Sequence, residues 1–283
     1  MKYVLLIIIT LAVQFEVRSQ EVALNKVRLE SDSTIKIVYV QIKIDGVKLD
    51  SLNRIKLLGN ASVFTDESKE YISDWFYSDD YLDNYDNNYT IVFDSIPNQV
   101  NKFKRISGTL RLFNPSEEKS SIVRVSNDES TFNSNIISQN SNNIKVVPID
   151  GFLLHKLKWK KRKIRKYIAE IINQNQLNEV LLLKTLSQYF EQNKKTKFLK
   201  KVSDYILFYI EKENFEVMSI SIDDTTKNEK RYVSSKLNGP KSAIWSFINY
   251  KPKLNNNFIM EVIYENAESI TEFNFELLDV DLK

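Results

Sequence analysis

The chain has 283 residues, 42% of them hydrophobic and 12% aromatic, with 40 Lys/Arg against 37 Asp/Glu. That is enough apolar material for one large packed domain or two, and it excludes global disorder. It holds no cysteine, one histidine (His155) and five glycines. Disulfides, a Cys–His dyad, any zinc site built on two or more His or Cys ligands, and a glycine-rich phosphate loop are therefore excluded.

Lys2 supplies a positive start, and Tyr3 to Val13 is an apolar run broken only by Thr10. The chain then turns polar and ends in Val17-Arg18-Ser19, which suits the −3 and −1 positions of a cleavage site before Gln20. Residues 1–19 read as a secretory signal peptide. As a helix the apolar run rises only about 16 Å, short of the roughly 30 Å hydrocarbon layer. The expectation is an exported chain with no transmembrane helix: periplasmic, outer-surface or secreted.

Residues 20–150 read as strands. Thr34 to Ile44 is dense in Ile and Val. Ser62 to Phe64 and Tyr71 to Phe76 flank the polar Asp66-Glu67-Ser68-Lys69, a hairpin pattern. Thr90 to Phe93 is a short apolar strand. In Ile106 to Phe113, Ile106, Gly108, Leu110 and Leu112 alternate with Ser107, Thr109 and Arg111. Ile122 to Val125 follows, and Ser126 to Asn143 reads as a polar linker. Residues 151–214 read as a basic helical module. Its stripes are Ile164/Ile168/Ile171, then Leu177/Val180/Leu181/Leu186, then Phe198/Val202/Ile206/Tyr209, with breaks near Asn173-Gln174-Asn175 and Asn193-Lys194-Lys195. Residues 215–283 return to strands at Phe215 to Ile222, Arg231 to Ser234, Ala243 to Ile248, Phe258 to Tyr264 and Thr271 to Val280. Trp75 and Trp245 fall within strands and are expected in cores. The expected fold is mainly β, with antiparallel β-sandwich regions (immunoglobulin-like or jelly-roll-like) flanking the helical insertion. The outer two regions share an outline of strand, acidic turn and Tyr-containing return strand, which is compatible with a distant duplication.

A Ser-His-Asp triad would have to use His155, which sits at the entry to the basic helix, so it reads as a partly exposed helix-start residue. Acids are plentiful enough for a carboxylate-dependent hydrolase, for example one acting on polysaccharide, but nothing selects a pair. Asp79, Asp80, Asp83 and Asp86 form an acidic loop able to offer oxygen ligands to calcium, although the spacing is not that of an EF-hand. Tyr81 and Tyr85, interleaved with those acids, are candidate contact residues.

Charge is distributed unevenly. Lys156 to Lys201 holds fourteen Lys/Arg against three Glu, a net of +11. The rest of the chain after the leader holds 24 Lys/Arg against 33 Asp/Glu, a net of −9. Lys160, Lys161, Arg162, Arg165 and Lys166 are the candidate binding cations. The expected function is an exported, non-enzymatic binding or scaffolding protein of the cell envelope. Its partner is an envelope protein or a surface of anionic lipid or polysaccharide, not nucleic acid, because export removes the usual targets and no base-stacking motif accompanies the charge. No cofactor beyond that calcium is expected. Expressed with its leader in a secreting host, the exported chain should begin at Gln20. Intact-mass and N-terminal peptide analysis of the secreted fraction checks this, and an exported chain that keeps Met1 contradicts it.

Overall fold

The computed structural model describes residues 22–50, 52–67, 69–73, 88–126, 131–137, 144–151, 153–154, 161–193, 205–224, 229–232, 235–248 and 258–282. These residues are mostly antiparallel strand, in four sheets, with two 15-residue helices. Among them no helix is long and apolar enough to cross a membrane. The chain forms two compact units, residues 1–112 with 272–283, and residues 113–271.

The first unit holds two sheets. One is β1 (Val22–Ser31), β2 (Ile35–Ile44) and β5 (Asn88–Pro97), in the order β1-β2-β5. The other has the order β15-β6-β3-β4, from β3 (Arg54–Phe64), β4 (Glu70–Ile72), β6 (Lys102–Phe113) and β15 (Ile270–Asp281). Alternation is clearest in β2, because one of its faces meets the core. In β2, Val38, Val40, Ile42 and Ile44 are buried while Tyr39 and Gln41 are only half-buried. Those inward residues share one core with Ile55, Leu57, Phe93, Ile106, Leu110 and Phe275 from the second sheet and from β5. Two observations extend the sequence reading. In β15, Asp279 takes φ 55°, and burial moves from the 275/277 phase to 280/282. At the hairpin expected around Asp66, Ser62 pairs with Ile72 and Phe64 with Glu70.

The second unit is layered. One sheet has the order β11-β10-β14-β7, from β7 (Ile122–Ser126), β10 (Val217–Asp224), β11 (Glu229–Tyr232) and β14 (Phe258–Tyr264). The other has the order β12-β13-β9-β8, from β8 (Ile144–Asp150), β9 (Tyr205–Lys212), β12 (Ser235–Asn238) and β13 (Ser242–Ile248). Ile206, Phe208, Ile210, Ala243, Trp245 and Phe247 meet Ile220, Ile222, Met260 and Val262 in one core. On its opposite face the second sheet carries helices α1 (Lys161–Asn175) and α2 (Glu179–Asn193). There Val147, Ile149, Leu207, Tyr209 and Ile244 pack against Tyr167, Ile171, Leu182, Leu186 and Tyr189.

Two expectations are corrected. Ile206 and Tyr209 are not helical. They belong to β9, whose Tyr-Ile-Leu-Phe-Tyr-Ile run has cores on both faces, so it shows no alternation that would separate it from a helix. The helical module therefore ends before residue 205. On α2, Val180 is 76% exposed, and Leu182, Leu186 and Tyr189 form the packing face instead. By contacts, β15 groups with the N-terminal strands, and β7 and β8 with the helices. Trp245 is buried, as expected of a strand core, with its Nε1 donating to Asn238 Oδ1 at 2.8 Å.

Gly46 takes φ 78° in the turn after β2, a conformation that suits glycine. Gly108 is needed for space: a Cβ there would meet the Phe275 ring at 2.8 Å and Leu57 at 3.2 Å. For Gly108→Ala the crowding is offset by about 0.5–1 kcal/mol of backbone entropy, so stability should stay within about 1 kcal/mol of wild type. Gly108→Val should lose about 1–3 kcal/mol by overpacking. Urea unfolding of the two variants measures the contrast, and equal midpoints would refute the steric account.

Candidate functional site

The basic residues singled out in the sequence converge on α1. Its first six described residues contain Lys161, Arg162, Lys163, Arg165 and Lys166, with no acid among them. Arg162, Lys163, Arg165 and Lys166 are exposed, while Ile164, Tyr167, Ile168 and Ile171 occupy the packing face. Lys166 Nζ lies 3.8 Å from Glu170 one turn on. Among the described residues Arg162, Lys163 and Arg165 have no carboxylate partner. Lys160 lies outside the described residues, as do His155, Trp75, Trp159, Tyr81, Tyr85 and the acidic loop of Asp79, Asp80, Asp83 and Asp86. Among the described residues no cluster of three or more His, Asp or Glu could hold a metal.

The charges stand on a helix held to the sheet edge by hydrogen bonds. The segment 133–136 runs along the outer edge of β8, where Asn133 N donates to Pro148 O at 2.7 Å and Ile136 N to Val146 O at 2.9 Å. Pro148 is tolerated because its missing N–H falls on this edge. α1 is pinned to the same segment. Tyr167 OH donates to Asn133 Oδ1 at 2.8 Å, and Asn175 Nδ2 to Asn133 O at 2.7 Å. Asn135 N donates to Asn175 Oδ1 at 2.5 Å, and Gln174 Nε2 to Ser134 Oγ at 2.7 Å. The helix ends in a left-handed residue, Gln176 (φ 52°), with Leu177 N donating to Ile172 O at 3.1 Å, the closing bond of a Schellman turn. Asn178 then caps α2: Leu181 N donates to its Oδ1 at 3.0 Å. The break expected at Asn173 to Asn175 falls where these bonds form.

An open groove of about 630 Å³ lies between α2 and the β12–β13 turn. Lys184, Gln188, Glu191, Asn238 and Lys241 line it, with the buried Thr185 and Ser242 hydroxyls 2.8 Å apart. Thr185 Oγ1 donates to Leu181 O at 2.7 Å, so the proton shared with Ser242 comes from the serine. No carboxylate but Glu191 lines the groove. Sequence reading did not find it, because Lys184 and Lys241 are 57 residues apart and only the helix-on-sheet packing brings their elements together.

Burial pushes the phenols of Tyr167, Tyr189 and Tyr209 above their ordinary value, helped at Tyr167 by the charge of Asp150 and at Tyr209 by Glu211, which accepts the phenol proton at 3.2 Å. All three lie in the helix–sheet core. A raised folded value means that their contribution is complete below about pH 10, the unfolded phenol range, and is lost as pH rises beyond it. The second unit should therefore weaken above about pH 10 by up to about 1.4 kcal/mol per pH unit for each tyrosine. Phenolate absorbance followed alongside circular dichroism checks this. Ionisation of all the tyrosines near pH 10 with the fold intact would refute it.

Comparison with protein-family models, with characterised proteins and with solved structures returned no match.

Proposed function

We propose that this is an exported, non-enzymatic binding protein of the cell envelope that docks through α1 onto a surface of fixed negative charge, anionic lipid or acidic polysaccharide. The observation that carries the reading is the exposed cluster of Arg162, Lys163, Arg165 and Lys166 on a helix whose other side is pinned down. Apart from the Lys166–Glu170 pair, this placement does not serve the helix. Arg162 and Lys166 are like charges at i,i+4, which costs about 0.2–0.5 kcal/mol. An external anion would offset this repulsion.

Each Lys or Arg held near an anionic surface contributes about 1 kcal/mol. Four would strengthen binding by roughly a thousandfold at low salt. The attraction is screened over about 8 Å at physiological ionic strength. We also read the paired sheets of each unit as β-sandwiches, because side chains from both sheets fill one core in each. A carboxylate-dependent hydrolase needs two acids across a cleft, and the groove beside α2 offers only Glu191.

The full chain should sediment with vesicles containing half phosphatidylglycerol, or bind alginate, at about 50 mM salt and release at about 500 mM. Vesicles and alginate separate the two sources of charge. The triple variant R162E/R165E/K166E should keep its circular dichroism spectrum and lose this binding. Absent binding, salt-independent binding, or full binding by the variant would each overturn the reading.

A further inference from the structure

The outer face of the β1-β2-β5 sheet, in the first unit, carries a polar construction that neither folding nor α1 explains. β1 has a register shift between Leu24 and Lys26: Leu24 pairs with Ile42 but Lys26 with Gln41. Asn25 is the additional residue. Such bulges re-aim a side chain, and this one sends an amide across three strands. Asn25 Nδ2 donates to Gln41 Oε1 on β2 and to Asn88 Oδ1 on β5, both at 3.0 Å. Both of its protons are thereby used. Among the described residues this leaves Asn25 Oδ1 as an acceptor and the amide N–H groups of Gln41 and Asn88 as donors, with Thr90 beside them.

Beside the amides lies a cavity of about 290 Å³, lined by Lys26, Arg28, Tyr39, Gln41 and Thr90. Its wall is built in the same cross-strand manner. Arg28 stacks 4.3 Å from the Tyr39 ring centroid, Tyr39 OH donates to Glu30 at 3.1 Å, and Arg28 pairs with Glu30 at 2.9 Å. Arg28 is thus balanced by Glu30, and Lys43 by Asp45 at 2.8 Å. Lys26 is the one cation of the cavity without a carboxylate among the described residues.

We infer that this face is a carbohydrate-binding patch that takes the sugar units of a polysaccharide, with Lys26 able to accept one acidic substituent. Adjacent hydroxyls on a pyranose each donate and accept, and clustered amides are their match. A protein interface would centre on apolar or aromatic area with charge depleted, whereas this cavity has one amide, a hydroxyl and two cations around a single tyrosine, with the Asn25 and Asn88 amides beside it. A nucleic acid or lipid surface needs a large excess of positive charge, and the ion pairs here leave only Lys26 unbalanced among the described residues.

The site belongs to the first unit and α1 to the second, and it is built from different residues, so the test distinguishes the two. The probes are cellohexaose, chitohexaose and oligoalginate, titrated calorimetrically into the full chain. At least one should bind. For the neutral probes, affinity should change by no more than about twofold between 50 and 500 mM salt, because no screened charge pair carries it. Gln41→Ala and Asn25→Ala should each weaken binding by about tenfold, the loss of one or two well-made hydrogen bonds. The R162E/R165E/K166E variant should bind the neutral probes as wild type does. Failure of all three probes to bind overturns the inference. Undiminished binding by both alanine variants, with wild-type melting temperatures, does so as well.

Discussion

Burial of β9 on both faces is the constraint on which the second unit depends. Its even positions, Ile206, Phe208 and Ile210, enter the core between the two sheets, and its odd positions, Leu207 and Tyr209, enter the core under the helices. One strand thus belongs to two hydrophobic layers. It sits inside its sheet, paired to β13 on one side and β8 on the other, so its backbone groups are satisfied as its side chains are buried. A large-to-small change on either face opens a cavity at about 2–5 kcal/mol and loosens the sheet that carries both helices.

That arrangement also sets where polar chemistry can stand. With both faces of the sheet covered, its exposed backbone lies at the two edges, β12 and β8, and the segment 133–136 covers the β8 edge with hydrogen bonds. The same asparagines hold α1. The helix is then a fixed platform whose outward side is available to carry charge. The sheet β1-β2-β5 of the first unit differs: its core lies on one face only. Its other face meets water and can hold an amide network that a two-sided core would exclude, because buried amides without partners cost about 1–3 kcal/mol each.

Legibility in the sequence followed the number of buried faces. β2, β6, β10, β13 and β14 were readable as strands from dense or alternating apolar residues between polar turns. β9 was not, since Ile206 and Tyr209 match a helical spacing as well as a strand buried on both sides. β1 escaped because only Val22, Val27 and Leu29 of its ten residues are even half-buried. β8 was concealed by Pro148 and the Asn-rich segment before it, whose amides cap the strand edge rather than loosen the chain. On α2, Val180 and Leu182 are equally apolar in sequence, and the position of the sheet decides that Leu182 is buried and Val180 faces water.

The amino acids alone determined the chemistry this protein can attempt: no thiol, one imidazole, few glycines, and a strong cationic segment between acidic ones. They also determined the predominance of strands, because β-branched and aromatic residues recur between polar turns. The tertiary structure decided which strands share a unit, as when β15 joins strands some 160 residues earlier through the Arg111–Glu272 ion pair and the Thr109–Asn274 bond. It also decided that Asn25, Gln41 and Asn88 form one network. These outcomes depend on long-range pairing and on a one-residue shift of register, and neither leaves a local trace, because any polar residue on a strand can face water until a neighbouring strand brings it a partner.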